Sequence, residues 1–283
     1  LFWLFNMNDR LTDLASLREE IDNIDKDILR LIQNRLNISS KIGNFKQKGD
    51  EIIRPGREAQ ILRACAEYAT DFLPREVILS IWRELITASC LTQSKISISV
   101  CAPDKSVGYW SLARDHFGTV VPMKLYKSPK ETIQLVSNTP NSIGLIPSPE
   151  EYGNDQWWTY LVSQNENFPK IIGKLPFMRS IDEQFEDIES YIVSNSKPEF
   201  SGKDKTWIVL ELNKKISFDL MQQNVRNVYN SCSLKDIYSE TQDSIYYLFE
   251  MEGFYNSNSQ ELIKIHNSAS EIKHVYVLGS FAY

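Results

Sequence analysis

Apolar residues spaced three and four apart run through the first fifty residues of this 283-residue chain. The series is Leu14, Leu17, Ile21, Ile24, Ile28, Leu31, Ile38, Ile42 and Phe45. This spacing is typical of the seam of a long helix that packs against another helix. Arg35 occupies the position between Leu31 and Ile38 where the pattern requires an apolar residue. Burying an unpaired guanidinium costs several kcal/mol, so we expect the protein to supply an anion there or to bind one.

Three helices are predicted before residue 95. The first extends from Thr12, a candidate N-cap, to Lys48, and is ~54 Å long at ~1.5 Å per residue. The second covers about 57–68, and Pro74 opens the third, which ends near residue 94. Because the long seam exceeds what two short helices can cover, we predict an all-α domain at residues 8–95 that forms an intertwined dimer.

The remainder of the chain alternates strand and helix signals. Residues 96–200 have the strand–helix alternation of an α/β region, with strands near 96–100, 120–126 and 142–146. Residues 201–283 follow the order βαββαβ, with helices at 218–229 and 260–269, which predicts a small ferredoxin-like α+β domain. The chain is therefore expected to be multidomain.

Bulk properties exclude several classes of function. The net charge of −6 argues against general binding of nucleic acid or anionic membranes, and no segment approaches the ~20 apolar residues of a membrane span. The four cysteines have no metal-binding spacing and are expected to be thiols of a cytoplasmic protein. The three histidines form no ligand motif, and we expect neither a metal nor another cofactor.

Three cations lie on or near the seam of the first helix: Arg18, Arg35 and Lys46. Arg35 and Lys46 are ~16 Å apart along the axis, so their long side chains could hold opposite ends of a small dianion. Arg18 lies ~25 Å from Arg35 and would have to come from an antiparallel partner helix. Alternatively, Arg18 and Lys46 are solvated charges at the edges of the seam, and Arg35 pairs with a structural carboxylate.

Three segments resemble the all-helical chorismate mutase family: LASLREEIDNIDKDILRLIQNRLNISSKIGNFK, RPGREAQIL and ITASCLTQS. The resemblance covers about residues 11–95. It implies chorismate as the substrate and prephenate as the product, formed in a homodimer whose subunits share each active site. The segment IGLIPSPE and the ending HVYVLGSFAY extend the likeness to the bifunctional chorismate mutase–prephenate dehydratases, which end in an ACT-type domain.

The resemblance also implies roles for individual residues. Arg18 of one subunit and Arg35 of the other would bind the two carboxylates of chorismate. Lys46 and Gln93 would donate hydrogen bonds to its ether oxygen. Glu58 would accept a hydrogen bond from the substrate hydroxyl, and the binding site would be completed by Arg57 and Ser89. The sequence departs from the family at Arg54, where an acidic residue is usual.

These residue types suit the reaction. Chorismate rearranges without a nucleophile, a proton transfer or a metal, so a catalyst has to hold the folded conformer and stabilise negative charge on the ether oxygen. Arginine binds carboxylates through two parallel N–H groups.

The later regions depart from their relatives. The Thr-Arg-Phe run of the dehydratase is replaced by Glu189-Ser190-Tyr191, and there is room for about one dehydratase lobe, so we predict no dehydratase activity. The two amino-acid-binding runs of the ACT domain are replaced by Ile216-Ser217-Phe218 and by Tyr238 to Thr241. Trp157 and Trp158 are expected to pack in a core or an interface.

Three other functions stay open on the sequence alone. The same helical site could serve a lyase that removes pyruvate from isochorismate. The chain could be a bifunctional mutase and dehydratase, or a non-catalytic sensor of an aromatic metabolite.

Overall fold

The computed structural model describes residues 2–46, 51–102, 106–151, 155–165, 167–178, 188–213, 221, 223, 225, 229, 231–241 and 244–283, with the backbone alone at 2–12, 106, 240 and 241. The chain divides into two compact units, residues 1–50 and 51–283. This division differs from the predicted boundaries at 95 and 200. The physical reason is that the second and third helices share an apolar core with the first strands of the sheet, and that the strands after residue 200 join the same sheet.

The first unit is built on one long helix, α1 (Phe2–Phe45). It begins before the predicted N-cap Thr12, because neither glycine nor proline interrupts the chain before Gly43. The side chains of the predicted seam are exposed in the single chain, from 44% at Leu14 to 88% at Phe45. An exposed apolar stripe of this length is typical of a helix face that packs against another helix.

The second unit contains the other described elements. The helices are α2 (Pro55–Ala66), α3 (Arg75–Leu91), α4 (Ser106–Phe117), α5 (Pro129–Asn138) and α6 (Gln260–His266). The strands are β1 (Ser97–Cys101), β2 (Met123–Tyr126), β3 (Ser142–Pro147), β4 (Lys170–Leu175), β5 (Ser190–Ser194), β6 (Asp204–Leu212), β7 (Cys232–Thr241), β8 (Ser244–Glu252) and β9 (Ile272–Ala282). The helix predicted at 218–229 lies largely outside the described residues.

These nine described strands form one sheet in the order β2-β1-β3-β5-β4-β9-β6-β8-β7. The strands β1, β2 and β3 are parallel, whereas β5 runs antiparallel to both β3 and β4. The last four strands pair antiparallel in the order β9-β6-β8-β7, which is the strand order of a ferredoxin-like βαββαβ unit. The two regions expected to be separate domains are therefore joined edge to edge.

The junction between the two halves of the sheet is a close backbone contact. Strand β4 pairs with β9 at Ile171 and Gly279, beside a bulge in the β6–β9 register. Gly279 has a φ of +155°, and a Cβ at this position would overlap the backbone of Ile171. A residue without a side chain is needed here because the two strands approach so closely.

Helix α2 is fixed to the segment after β5 and to the end of β9. A Cβ on Gly56 would lie 2.7 Å from the Cβ of Glu199 and 2.8 Å from the carbonyl oxygen of Phe200. The Arg63 guanidinium donates to the carbonyl oxygens of Ser201, Lys203 and Tyr283, each at 3.0 Å. The segment after β5 is thus a binding surface for α2.

We predict that Gly279→Ala lowers the free energy of unfolding by more than ~2 kcal/mol, because its methyl group would separate β4 from β9. Gly202→Ala is the control: Gly202 also has positive φ, +95°, but nothing lies within 4 Å of its added Cβ, so its cost is about 1 kcal/mol. Urea unfolding of both variants measures the difference. Equal losses of unfolding free energy in the two variants would show that the close β4–β9 contact adds no cost to the substitution at Gly279.

Candidate active site

The three predicted cations lie within the first unit, Arg18 and Arg35 on α1 and Lys46 directly after its last residue. Arg18 is exposed, whereas Arg35 and Lys46 are half-buried. The helix is continuous from Arg18 to Arg35, so the separation of ~25 Å along the axis holds. A dianion of the size of chorismate therefore cannot contact both arginines of one copy, and Arg18 can serve a site at Arg35 only from a second copy.

The first turn of α2 carries Arg57 and Glu58. Pro55 at the start of the helix presets its backbone angle. The carboxylate of Glu199 forms an ion pair with the Arg54 guanidinium and accepts from the Arg57 backbone N–H at 3.4 Å. Glu199 therefore compensates the unusual cation Arg54 and caps the positive end of the helix. Glu199 lies more than 140 residues after Arg54 and Arg57 in the sequence, so no local sequence pattern predicts this role.

The Glu58 carboxyl is surrounded by protein although part of its side chain is exposed. Burial raises its pKa to about 7, the backbone N–H of Arg54 opposes this rise, and the charge of Glu199 adds to it. The hydrogen bond from the Arg54 backbone N–H to the Glu58 carboxyl oxygen is 3.4 Å long. Glu58 therefore changes its charge near neutral pH.

Ser89 and Gln93 lie one turn apart at the end of α3. Ser89 is buried, and its hydroxyl donates to the Leu85 carbonyl oxygen at 2.7 Å. Gln93, just beyond the last helical residue Leu91, donates from its side-chain amide to the Ser89 carbonyl oxygen at 3.2 Å. This bond orients the amide and engages one of its two N–H groups.

The structure thus brings Arg57 and Glu58 together on α2, and Ser89 and Gln93 together at the end of α3. The two helices pack against each other through Leu62 and Leu79 in one core. The predicted cations Arg18, Arg35 and Lys46 belong to the other unit.

The position of the expected dehydratase run is occupied by a closed aromatic cluster. Tyr191 is 2% exposed and its ring lies 4.2 Å from that of Trp207, centroid to centroid. Trp157 also packs on both rings and is fully buried, as is its neighbour Trp158, which confirms that this pair belongs to the core. The hydroxyl of Ser190 is buried and has no hydrogen-bond partner among the described residues.

No helix among the described residues is both long and apolar enough to cross a membrane. No group of three or more histidine, cysteine or acidic side chains in those ranges is arranged to hold a metal ion.

Residues 17–94 match the family model described as chorismate mutase type II. The chain is similar to the "Bifunctional chorismate mutase/prephenate dehydratase" of Aquifex aeolicus, with 34% identity over 113 residues, which are 38% of this chain and 31% of that protein. The protein of the same description from Neisseria gonorrhoeae is 30% identical over 101 residues, 36% of this chain and 27% of the relative. The matches therefore span about a third of these relatives.

Among solved structures, the chain is similar to prephenate dehydratase from Streptococcus mutans, with a TM-score of 0.45 and 13% identity. The superposition covers 66% of this chain and 97% of that protein.

The raised pKa of Glu58 predicts a stability that depends on pH. Because the folded state holds the proton more tightly than the unfolded state, Glu58 lowers the free energy of unfolding progressively as the pH rises from about 4.5 to about 7. We expect the difference in free energy of unfolding between Glu58→Gln and wild type to shift in favour of the variant by roughly 1–3 kcal/mol as the pH rises from 5 to 8.

Urea unfolding at pH 5 and at pH 8, with the same protein concentration throughout, measures this shift. Glu67→Gln is the control, because Glu67 is an exposed acid after the same helix. A Glu58→Gln advantage that is the same at pH 5 and pH 8 would contradict the assignment.

Proposed function

We propose that the protein rearranges chorismate to prephenate, because residues 17–94 match the family model described as chorismate mutase type II. The observation that carries this proposal is the match of that segment to the family model, which includes all seven candidate site residues. The 34% identity to a bifunctional enzyme from Aquifex aeolicus supports it.

The cations of the first unit have the chemistry to bind this substrate. In our proposal, Arg35 and the partner subunit's Arg18 bind the two carboxylates of chorismate through paired N–H donors. Lys46 donates to the ether oxygen, on which negative charge grows as the bond breaks. The half-buried state of Arg35 and Lys46 strengthens such interactions relative to those of fully exposed cations.

In our proposal, the second unit contributes the other four residues of the site. We assign the second hydrogen bond to the ether oxygen to Gln93, whose amide is already oriented by the Ser89 carbonyl. Glu58, as carboxylate, accepts from the substrate hydroxyl. Arg57 and Ser89 complete the binding of substrate.

The dimer is proposed on two observations. The seam of α1 is exposed along its whole described length, and Arg18 lies too far from Arg35 to reach the same small molecule. An antiparallel α1 pair would cover the seam and bring the partner subunit's Arg18 into range.

For the rest of the chain, we propose that dehydratase activity is lost and that residues 201–283 form an ACT-like domain. The first proposal is supported by Tyr191, which stands at the position of the dehydratase run and is buried against Trp207. The strand order β9-β6-β8-β7 supports the second assignment. We further propose that the protein acts in the cytoplasm, in phenylalanine and tyrosine biosynthesis.

The curated relatives are described as bifunctional, so a retained dehydratase activity is the second candidate. Purified full-length protein incubated with chorismate separates the possibilities by its product. We expect prephenate alone. Phenylpyruvate would identify a bifunctional enzyme, pyruvate release from isochorismate would identify a lyase, and the absence of turnover would contradict an enzymatic function.

We predict that Arg35→Ala lowers kcat/KM for chorismate by ~10³ or more, because a carboxylate of the reacting dianion loses its bidentate partner. Arg30→Ala is a matched control on the same helix, since Arg30 is exposed and pairs only one turn away with Asp27 at 3.0 Å. Steady-state kinetics on folded dimers measures both. Comparable activities of the two variants would refute the role of Arg35.

A shared site predicts complementation between two inactive variants. In a mixed dimer of Arg18→Ala and Arg35→Ala chains, one site carries both defects and the other carries neither. Random mixing should therefore restore about a quarter of wild-type activity. Mixed dimers verified by mass spectrometry that show no recovery would place both arginines of a site on one chain.

A further inference from the structure

The segment after β5 follows α2 along its length and is bonded to it at several points. In the middle of the helix, the Gln60 side-chain amide donates to the Phe200 carbonyl oxygen at 3.3 Å. In the last turn, the Arg63 guanidinium also donates to the Ser201 hydroxyl at 3.1 Å. These bonds hold the two stretches of chain in one alignment, which fixes Glu199 beside the first turn of α2.

The first turn of α2 has no cap from its own N-cap residue. The Arg54 side chain makes no capping hydrogen bond, because a guanidinium carries donors and no acceptor. A capping side chain ordinarily accepts from the N–H of the second or third helical residue. The third helical residue here is Arg57, and its N–H donates to the Glu199 carboxylate at 3.4 Å. Glu199 therefore does the work of an N-cap side chain from a distant part of the sequence.

Arg54 contacts two carboxyl groups. Its backbone N–H donates to Glu58 at 3.4 Å, and its guanidinium pairs with Glu199. The side chain of Arg54 is 53% exposed and that of Glu199 is 22% exposed, so the acid is the more firmly enclosed member of the pair. Without Glu199, the mobile guanidinium can turn to the Glu58 carboxylate, because opposite charges attract strongly in a partly buried position.

Such a turn would compete with the substrate. In the proposed function, Glu58 accepts a hydrogen bond from the substrate hydroxyl. A carboxylate that pairs with a guanidinium can use both of its oxygens on two parallel N–H groups. An ion pair between Arg54 and Glu58 would therefore occupy the acceptor that the substrate needs.

We propose that Glu199 is a positioning residue of the mutase site, whose carboxylate caps α2 and holds the Arg54 guanidinium away from Glu58. The proposal rests on the proposed function, because Arg57 and Glu58 matter here as groups that bind the substrate. Glu199 lies outside residues 17–94, the segment that matches the mutase family. The mutase site thus depends on a residue of the region that follows it in the chain.

The test compares the effect of Glu199→Ala in the wild type and in an Arg54→Ser background, in the full-length protein. Serine is a favoured N-cap residue whose hydroxyl can accept from the Arg57 N–H, and the substitution removes the guanidinium that competes for Glu58. We expect Glu199→Ala to lower kcat/KM for chorismate about tenfold in the wild type and less than about twofold in Arg54→Ser. Activity is measured at pH 8, because Glu58 has a pKa of about 7 and is then mostly charged.

Two further variants separate positioning from a general loss of stability. Glu199→Gln keeps an oxygen that can accept from the Arg57 N–H but lacks the charge that holds Arg54, and should lower kcat/KM roughly threefold. Glu211→Ala is the control, because Glu211 pairs with Lys273 at 2.7 Å at the end of β6 away from the segment that binds α2. We expect it to change kcat/KM by less than about twofold.

Amide hydrogen exchange at Arg57, followed by NMR, measures the cap without any substrate. We expect this exchange to be about tenfold faster in Glu199→Ala than in the wild type, and to return towards the wild-type rate when Arg54→Ser is added. If Glu199→Ala does not fold, Glu199→Gln in both backgrounds gives the same comparison.

An unchanged kcat/KM in Glu199→Ala, or an equal loss in the wild-type and Arg54→Ser backgrounds, would overturn the proposal. An equal loss in Glu211→Ala would overturn it as well, since any lost ion pair would then have the same effect. If hydrogen exchange changes as expected but the wild type does not convert chorismate, the proposed function fails while the capping of α2 by Glu199 stands.

Discussion

The close contact between the first turn of α2 and the segment after β5 determines where the acidic part of the candidate site lies. It requires a residue without a side chain at Gly56 and is secured by Glu199 at the helix N-terminus and by Arg63 one turn before its end. Arg57 and Glu58 belong to this fixed helix. The region after residue 95 is therefore part of what orients these two residues, not an independent appendage.

The same contact explains the electrostatics of Glu58. Its neighbour Arg54 is neutralised by Glu199, so the charge of Arg54 does not hold the Glu58 carboxyl in its charged form. Burial then dominates and raises the pKa to about 7. A carboxyl in this state is sensitive to small changes among its polar neighbours.

Local sequence signals predicted the elements well, because periodicity, proline and capping residues act over a few positions. The helix beginning at Gln260 and the strand beginning at Ser142 lie as predicted, and the resemblance of the first segment to the chorismate mutase family is confirmed by the family match. Long-range pairing was not predictable: the sheet joined at Gly279 and the Glu199 carboxylate at α2 depend on residues distant in sequence. The roles of the seven site residues stay predictions.

The central claim is that cations projecting from α1 bind a dicarboxylate in its reacting geometry. A crystal structure of the dimer with a bicyclic dicarboxylate that mimics the chorismate transition state tests it most directly. We expect one carboxylate to contact Arg35 and the other to contact the partner subunit's Arg18. Density for the inhibitor at any place away from Arg35, in a fully occupied complex, would contradict the claim.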